Sequence, residues 1–216
     1  MNKESVTDAA WQQALAALPL VAILRGITPA ECDPVGDALW ALGYRVLEVP
    51  LNSPEPFKSI ERLVRRLPGA IVGAGTVLTV PEVAATQAAG GRIVVSPNFD
   101  ASVVQATRAR GMISLPGVFT PSEAFDAVRA GASGVKLFPA EVYGPAGLRA
   151  LRAVLAAQVL VFPVGGVSAG NLAQWRTAGA SGAGIGSALY QPGKAMAQLT
   201  ADARAFVSAW QGSVSA

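Results

Sequence analysis

Residues 131–140 read GASGVKLFPA, and the neighbouring runs fall into order once this one is understood. Val135, Leu137 and Phe138 make a short apolar run that Lys136 interrupts and Pro139 stops. A buried parallel strand carrying a charge near its C-terminal end has this pattern. Lysine is almost never fully buried without a reason. Either the amine snorkels outward or closes an ion pair, or desolvation keeps it partly neutral so that it can attack a carbonyl. Ion pairs also perturb lysines, so the surroundings of Lys136 must decide.

The same unit recurs along the chain. Short apolar or glycine-rich runs stand at 20–25, 46–50, 70–75, 92–97, 112–117, 134–139, 159–166 and 181–187. Helical patterns lie between and after them at about 30–42, 55–67, 80–89, 100–110, 121–130, 145–155, 169–178 and 193–210, with a further amphipathic helix at 7–18. Thr28 with Pro29, Thr79 before Pro81, Asn98 with Asp100, and Thr120 with Pro121 and Glu123 are helix-start signals. Gly43, Gly90, Gly111, Gly131 and Gly179 fall where C-caps belong. Eight strand–helix units predict an α/β fold, a single (β/α)8 TIM barrel over residues 1–216 with an N-terminal helix, and an active site at the C-terminal strand ends. A doubly wound open sheet is the runner-up. It lacks support in the turn at 25–29, which is not a glycine-rich dinucleotide fingerprint, and the run at 182–186 has the wrong spacing.

Composition narrows the chemistry. The 216 residues are 51% hydrophobic and 14% charged, which excludes disorder. No apolar run is long enough for a transmembrane span, and MNKESVTDAAW carries acidic groups where a signal peptide has its apolar core, so a cytoplasmic location is expected. Cys32 is the only cysteine and there is no histidine. Histidine-dependent nucleophiles and the common zinc sites are thereby excluded, leaving Lys, Glu, Asp, Tyr and Arg as the chemical groups. The net charge is +3 with scattered arginines, so no nucleic-acid partner is expected.

With this architecture the polar strand ends are Arg25, Glu48, Thr76, Asn98 and Lys136, with Gly165, Gly166, Gly186 and Ser187 closing the last two strands. Glu48 has the plain alternative of neutralising Arg45 or Arg25, and Thr76 and Asn98 that of capping a helix. Charges ending the first, second and sixth strands are harder to dismiss, because an unpaired buried charge costs several kcal/mol. An arginine for a carboxylate, a carboxylate for proton transfer and an amine together suit an α-keto acid. The two glycine sites suit a phosphate, since glycine lets backbone N–H groups approach an anion.

The blocks LPLVAILRGITP, EVPLNSP, IVGAGTVL, GVKLFPA, VFPVGGV and GAGIGSALY resemble the 2-keto-3-deoxy-6-phosphogluconate/galactonate aldolases over nearly the whole chain. The resemblance implies a class I, Schiff-base aldolase, usually trimeric, that needs no metal or cofactor and releases pyruvate and D-glyceraldehyde 3-phosphate. It assigns the Schiff base to Lys136, acid/base work to Glu48, the pyruvate carboxylate to Arg25 and Thr76, and the phosphate to Gly165, Gly166, Gly186 and Ser187. Asn52 and Ser53 stand where gluconate-type members tend to have Arg-Thr, and Val164 where they have threonine, so the likeness within the family is to its 6-phosphogalactonate branch. The same reaction on the gluconate epimer is one alternative, and a non-catalytic phosphosugar-binding barrel is another. The second would have no use for Lys136 and Glu48 together.

Overall fold

The computed structural model describes residues 6–212; residues 1–5 and 213–216 of the expected domain, and with them part of the N-terminal stretch read for a signal, lie outside the described residues. Helix α1 (Val6–Ala17) is followed by strictly alternating elements: β1 (Leu20–Ile23), α2 (Cys32–Ala41), β2 (Val46–Pro50), α3 (Pro56–Arg66), β3 (Ile71–Gly75), α4 (Val80–Ala88), β4 (Ile93–Val95), α5 (Ala101–Ala109). Then come β5 (Ile113–Leu115), β6 (Gly117–Val118), α6 (Pro121–Arg129), β7 (Val135–Leu137), α7 (Ala140–Arg152), β8 (Val161–Pro163), α8 (Leu172–Thr177), β9 (Ala183–Ile185) and α9 (Met196–Gly212).

The local signals work as their chemistry requires. Thr79 and Thr120 close capping boxes with Glu82 and Glu123, and Asp100 accepts from the backbone N–H groups of Ser102 and Val103. The five C-terminal glycines all take positive φ. Three boundaries move for identifiable reasons. Pro116 has no N–H and splits the fifth run into β5 and β6. Helix α2 begins at Cys32 because Thr28 caps nothing there; its hydroxyl donates to Glu31 instead, at 2.6 Å. Helix α7 begins five residues early, turning once before Gly144 (φ 72°) and Pro145 kink it.

Among the described residues all strand pairs are parallel. They form a six-stranded sheet ordered β5-β4-β3-β2-β1-β9 and a three-stranded sheet ordered β6-β7-β8. An isolated parallel bridge from Val164 to Gly184 joins β8 to β9, and the Ser133 N–H donates to the Ser114 carbonyl at 2.9 Å between β5 and β7.

Period-2 alternation sorts the strands into two apolar clusters. Leu20, Ala22, Leu47, Val49, Val72, Ala74, Val135 and Leu137 pack with the helices. Val21, Val46, Ile71, Ile93, Ile113 and Phe162 pack with each other on the inner face and with Trp11 of α1, whose ring lies 5.7 Å from that of Phe162. Burying that indole is worth about 4–6 kcal/mol in transfer free energy. An ion pair from Arg108 to Asp8, at 3.0 Å, ties α1 to α5. By the same alternation, two residues beyond the Trp11 layer the inner face carries Glu48 on β2, Val164 after β8 and Gly186 after β9, with Lys136 facing the same way on β7.

Candidate active site

A cavity of about 780 Å³ opens at the C-terminal ends of β1, β7, β8 and β9. Its lining includes Arg25, Lys136, Val164, Gly165, Gly166, Gly186 and Ser187, so seven of the ten residues singled out in the sequence meet in one space. Glu48 and Thr76 do not line it. Asn98 is exposed elsewhere, its amide donating to the Phe99 carbonyl.

Lys136 is 5% exposed, and its ammonium position lies 4.6 Å from the centroid of the Phe138 ring. Desolvation pushes the pKa of this amine below the usual lysine value; the nearby Glu48 opposes that and the Arg25 charge adds to it. Glu48 is 1% exposed. Burial raises its carboxyl above the usual range, against the pull of Lys136 and Arg25. Both shifts favour the uncharged forms, which readies the amine as a nucleophile and brings the carboxyl closer to the range in which it can take a proton and give it back.

Arg25 corrects one sequence inference. It is exposed past the end of β1, not buried, and its Nη1 donates to Asn52 Oδ1 at 2.7 Å, while the Gly26 N–H donates to Ser53 Oγ at 2.9 Å. Asn52 and Ser53, read from sequence only as a departure from gluconate-type relatives, thus hold the arginine's loop. A second strut was not legible. Glu31 accepts from the Thr28 N–H at 2.9 Å and from the Tyr190 hydroxyl at 3.1 Å, tying the loop after β1 to the loop after β9. Phe138 was the easier miss, since it lies two residues beyond Lys136 on the same face.

Thr76 is half-buried with φ of 60°, a conformation that a β-branched residue adopts only under strain. Val164 is 9% exposed, and a β-carbon on Gly184 would lie 2.7 Å from its Cγ2. Gly165 and Gly166 take φ of 102° and 65°. Beside them stands an acid that the sequence reading passed over: a β-carbon on Gly165 would fall 2.6 Å from Glu141 Oε2. Across the cavity, the Leu189 and Tyr190 N–H groups both donate to the Gly186 carbonyl, forming one helical turn, and the N–H groups that open such a turn have no acceptor within it. Among the described residues no three His, Cys, Asp or Glu side chains converge as metal ligands would.

A desolvated lysine with a buried carboxylate at the strand ends of a parallel α/β fold is the equipment of an imine-forming aldehyde-lyase. The comparisons agree. Residues 12–201 match the family model "Aldolase: KDPG and KHG aldolase". The chain is 47% identical over 193 residues to the "Probable 2-dehydro-3-deoxy-6-phosphogalactonate aldolase" of Rhizobium meliloti (strain 1021), covering 89% of this chain and 91% of that one. It is 43% identical over 205 residues to the 2-dehydro-3-deoxy-6-phosphogalactonate aldolase of Escherichia coli (strain K12), covering 94% and 98%. A solved structure titled "Native KDPGal structure" superposes with a TM-score of 0.90 at 43% identity, covering 92% and 97%. The chain belongs to the KDPG and KHG aldolase family.

Proposed function

We propose that this protein is a class I aldolase that cleaves 2-dehydro-3-deoxy-6-phosphogalactonate to pyruvate and D-glyceraldehyde 3-phosphate through an imine on Lys136. The observation that carries this reading is the amine itself: 5% exposed, under the Phe138 ring, in a strand-end cavity, with its pKa lowered by burial. The galactonate names of the two relatives support the substrate.

In this reading the neutral Lys136 amine attacks the C2 ketone, and loss of water with uptake of one proton from solvent leaves a protonated imine. Glu48, acting directly or through a water, takes the C4 hydroxyl proton. The C3–C4 bond breaks, its electron pair enters the C3 enamine, and D-glyceraldehyde 3-phosphate departs as the aldehyde. Glu48 returns the proton to C3, and hydrolysis of the imine frees pyruvate, the neutral amine and the proton taken up when the imine formed. Arg25 holds the carboxylate, oriented by Asn52, with Thr76 as its second contact. The turn opening at Gly186 and Ser187 and the pair Gly165 and Gly166 hold the phosphate. Binding there, far from the reacting bond, supplies orientation.

The Val164 to Gly184 bridge favours closure of the two sheets into a complete (β/α)8 barrel forming one domain. A homotrimer follows from the family resemblance, and the exposed side chains of Leu78, Phe119 and Val142 are available to subunit contacts; sedimentation equilibrium tests it. No described helix is long and apolar enough to cross a membrane, and a cytoplasmic location is proposed with the metabolic substrate. The central experiment is reduction with borohydride in the presence of pyruvate. Inactivation with added mass on the peptide containing Lys136 is expected, and an adduct confined to Lys58 or Lys194 would overturn the mechanism.

A further inference from the structure

The inner-facing positions of β3 are Ile71, Gly73 and Gly75, so two of three carry no side chain. Glycine weakens a strand interior and calls for a cause. Backbone conformation is not that cause, because neither residue has a left-handed φ. The two differ in what excludes a methyl group. At Gly73 a β-carbon would overlap the Ile93 carbonyl oxygen and lie 2.8 Å from its carbon, so backbone stands in the way. At Gly75 the obstruction is a single side chain: the β-carbon would overlap Oε1 and Cδ of Glu48 and lie 2.7 Å from its Cγ.

We infer that Gly75 is a positioning residue for proton transfer: its bare α-carbon is the notch that seats the Glu48 carboxylate between β2 and β3. The inference rests on the reading of Glu48 as the proton-transferring group. Register supplies the geometry, since Glu48 is paired with Gly73 and Pro50 with Gly75, which places the notch two residues toward the cavity from the residue opposite Glu48. The carboxylate leans along the strand to fill it. With Glu48 1% exposed, a methyl group there leaves the carboxylate no solvent to swing into, so it must shift within the packed layer.

The test uses Gly75→Ala, Glu48→Asp, Glu48→Gln and the double variant Glu48→Asp/Gly75→Ala. Two readouts separate positioning from folding: the yield of borohydride-trapped pyruvate on Lys136, and the rate at which the pyruvate methyl protons exchange with deuterium oxide. Exchange needs the imine and a base that removes and returns a C3 proton. Gly75→Ala is expected to keep the wild-type adduct yield while exchange and kcat fall on the order of 10²-fold, the loss that a misplacement of about 1 Å produces. Aspartate is one methylene shorter and clears the notch, so the double variant should exchange no more slowly than Glu48→Asp alone. Should Gly75→Ala fail to fold, the double variant should fold; failure of both assigns the glycine to backbone packing and overturns the inference. Wild-type exchange in Gly75→Ala alongside slow exchange in Glu48→Gln overturns the inference alone, as do additive losses in the double variant. Wild-type exchange in Glu48→Gln overturns the reading of Glu48 and this inference with it.

Discussion

The two sides of the cavity are built from opposite materials. On the reactive side Lys136 of β7 lines the cavity and Glu48 of β2 lies buried outside that lining, 5% and 1% exposed, and their pKa values move because water is excluded. On the side of β8 and β9 stand Gly165, Gly166 and Gly186, which contribute backbone and almost no side chain. Reactivity requires a charge equilibrium displaced by burial, and burial requires a packed strand. Recognition of a dianion needs converging N–H groups at close approach, which glycine in a loop provides. The difference teaches that changes on the first side should strike turnover, whereas changes on the second should strike affinity and substrate choice.

The strongest break in that comparison is Lys136→Met. Turnover should fall by about 10⁴-fold or more with loss of the covalent intermediate. Stability should move the other way. A lysine with a lowered folded pKa carries no penalty above its unfolded value of about 10.4 and progressively costs stability as pH falls toward the folded value. Melting curves at neutral pH should therefore show Lys136→Met above the wild type, by roughly 2–4 °C for each kcal/mol regained, and the gap should close as pH rises past 10. A variant less stable than wild type at pH 7 would contradict the desolvation account.

Glu48→Gln comes next. It should retain the trapped adduct and lose about 10²–10⁴-fold in kcat, the usual range for a general acid/base. Wild-type turnover would leave Glu48 as a charge partner of Lys136.

On the glycine side, Val164→Thr tests substrate choice. Valine presents methyl groups to the cavity where a hydroxyl could reach one C4 configuration, a difference of about 1–3 kcal/mol for a buried polar group. The wild type should favour the galactonate epimer, and the variant should shift the ratio of kcat/KM toward gluconate by about 5- to 150-fold. An unchanged ratio would make Val164 a packing residue only.

Thr76 follows β3, next to the strand that carries Glu48, and its strained φ separates function from folding. With the proposed role of Thr76 as second contact to the substrate carboxylate, Thr76→Gly should raise KM about tenfold. It should not lower the melting temperature, because relief of about 1–3 kcal/mol of strain offsets the greater entropy of an unfolded glycine. A destabilised variant with normal KM would assign the threonine to structure. The smallest expected change is at Glu141, whose carboxylate adjoins the paired glycines. Glu141→Gln should lower KM for the phosphorylated substrate by about fivefold, for about 1 kcal/mol of repulsion in a solvated rim. Equal KM values would move the phosphate away from Gly165 and Gly166.

Much of this molecule is set by local chemistry. The capping boxes at Thr79 and Thr120, the C-terminal glycines and the apolar runs act within a few residues, so the order of strands and helices is readable directly. The period of two places Lys136 and Glu48 on one face for the same reason. Contacts between distant residues decide the rest. Arg25 needs Asn52 to hold it, Glu31 reaches Tyr190 across 159 residues, and Trp11 fills the inner face beside Phe162. No local pattern encodes the strain at Thr76 or the acid beside Gly165, because each depends on which chain segment lies opposite. The sequence by itself determined the chemistry available to the cavity and the face it occupies. Only the tertiary structure decided how water is excluded from that chemistry and where each carboxylate rests, because burial and steric exclusion are properties of neighbours that the chain brings together from afar.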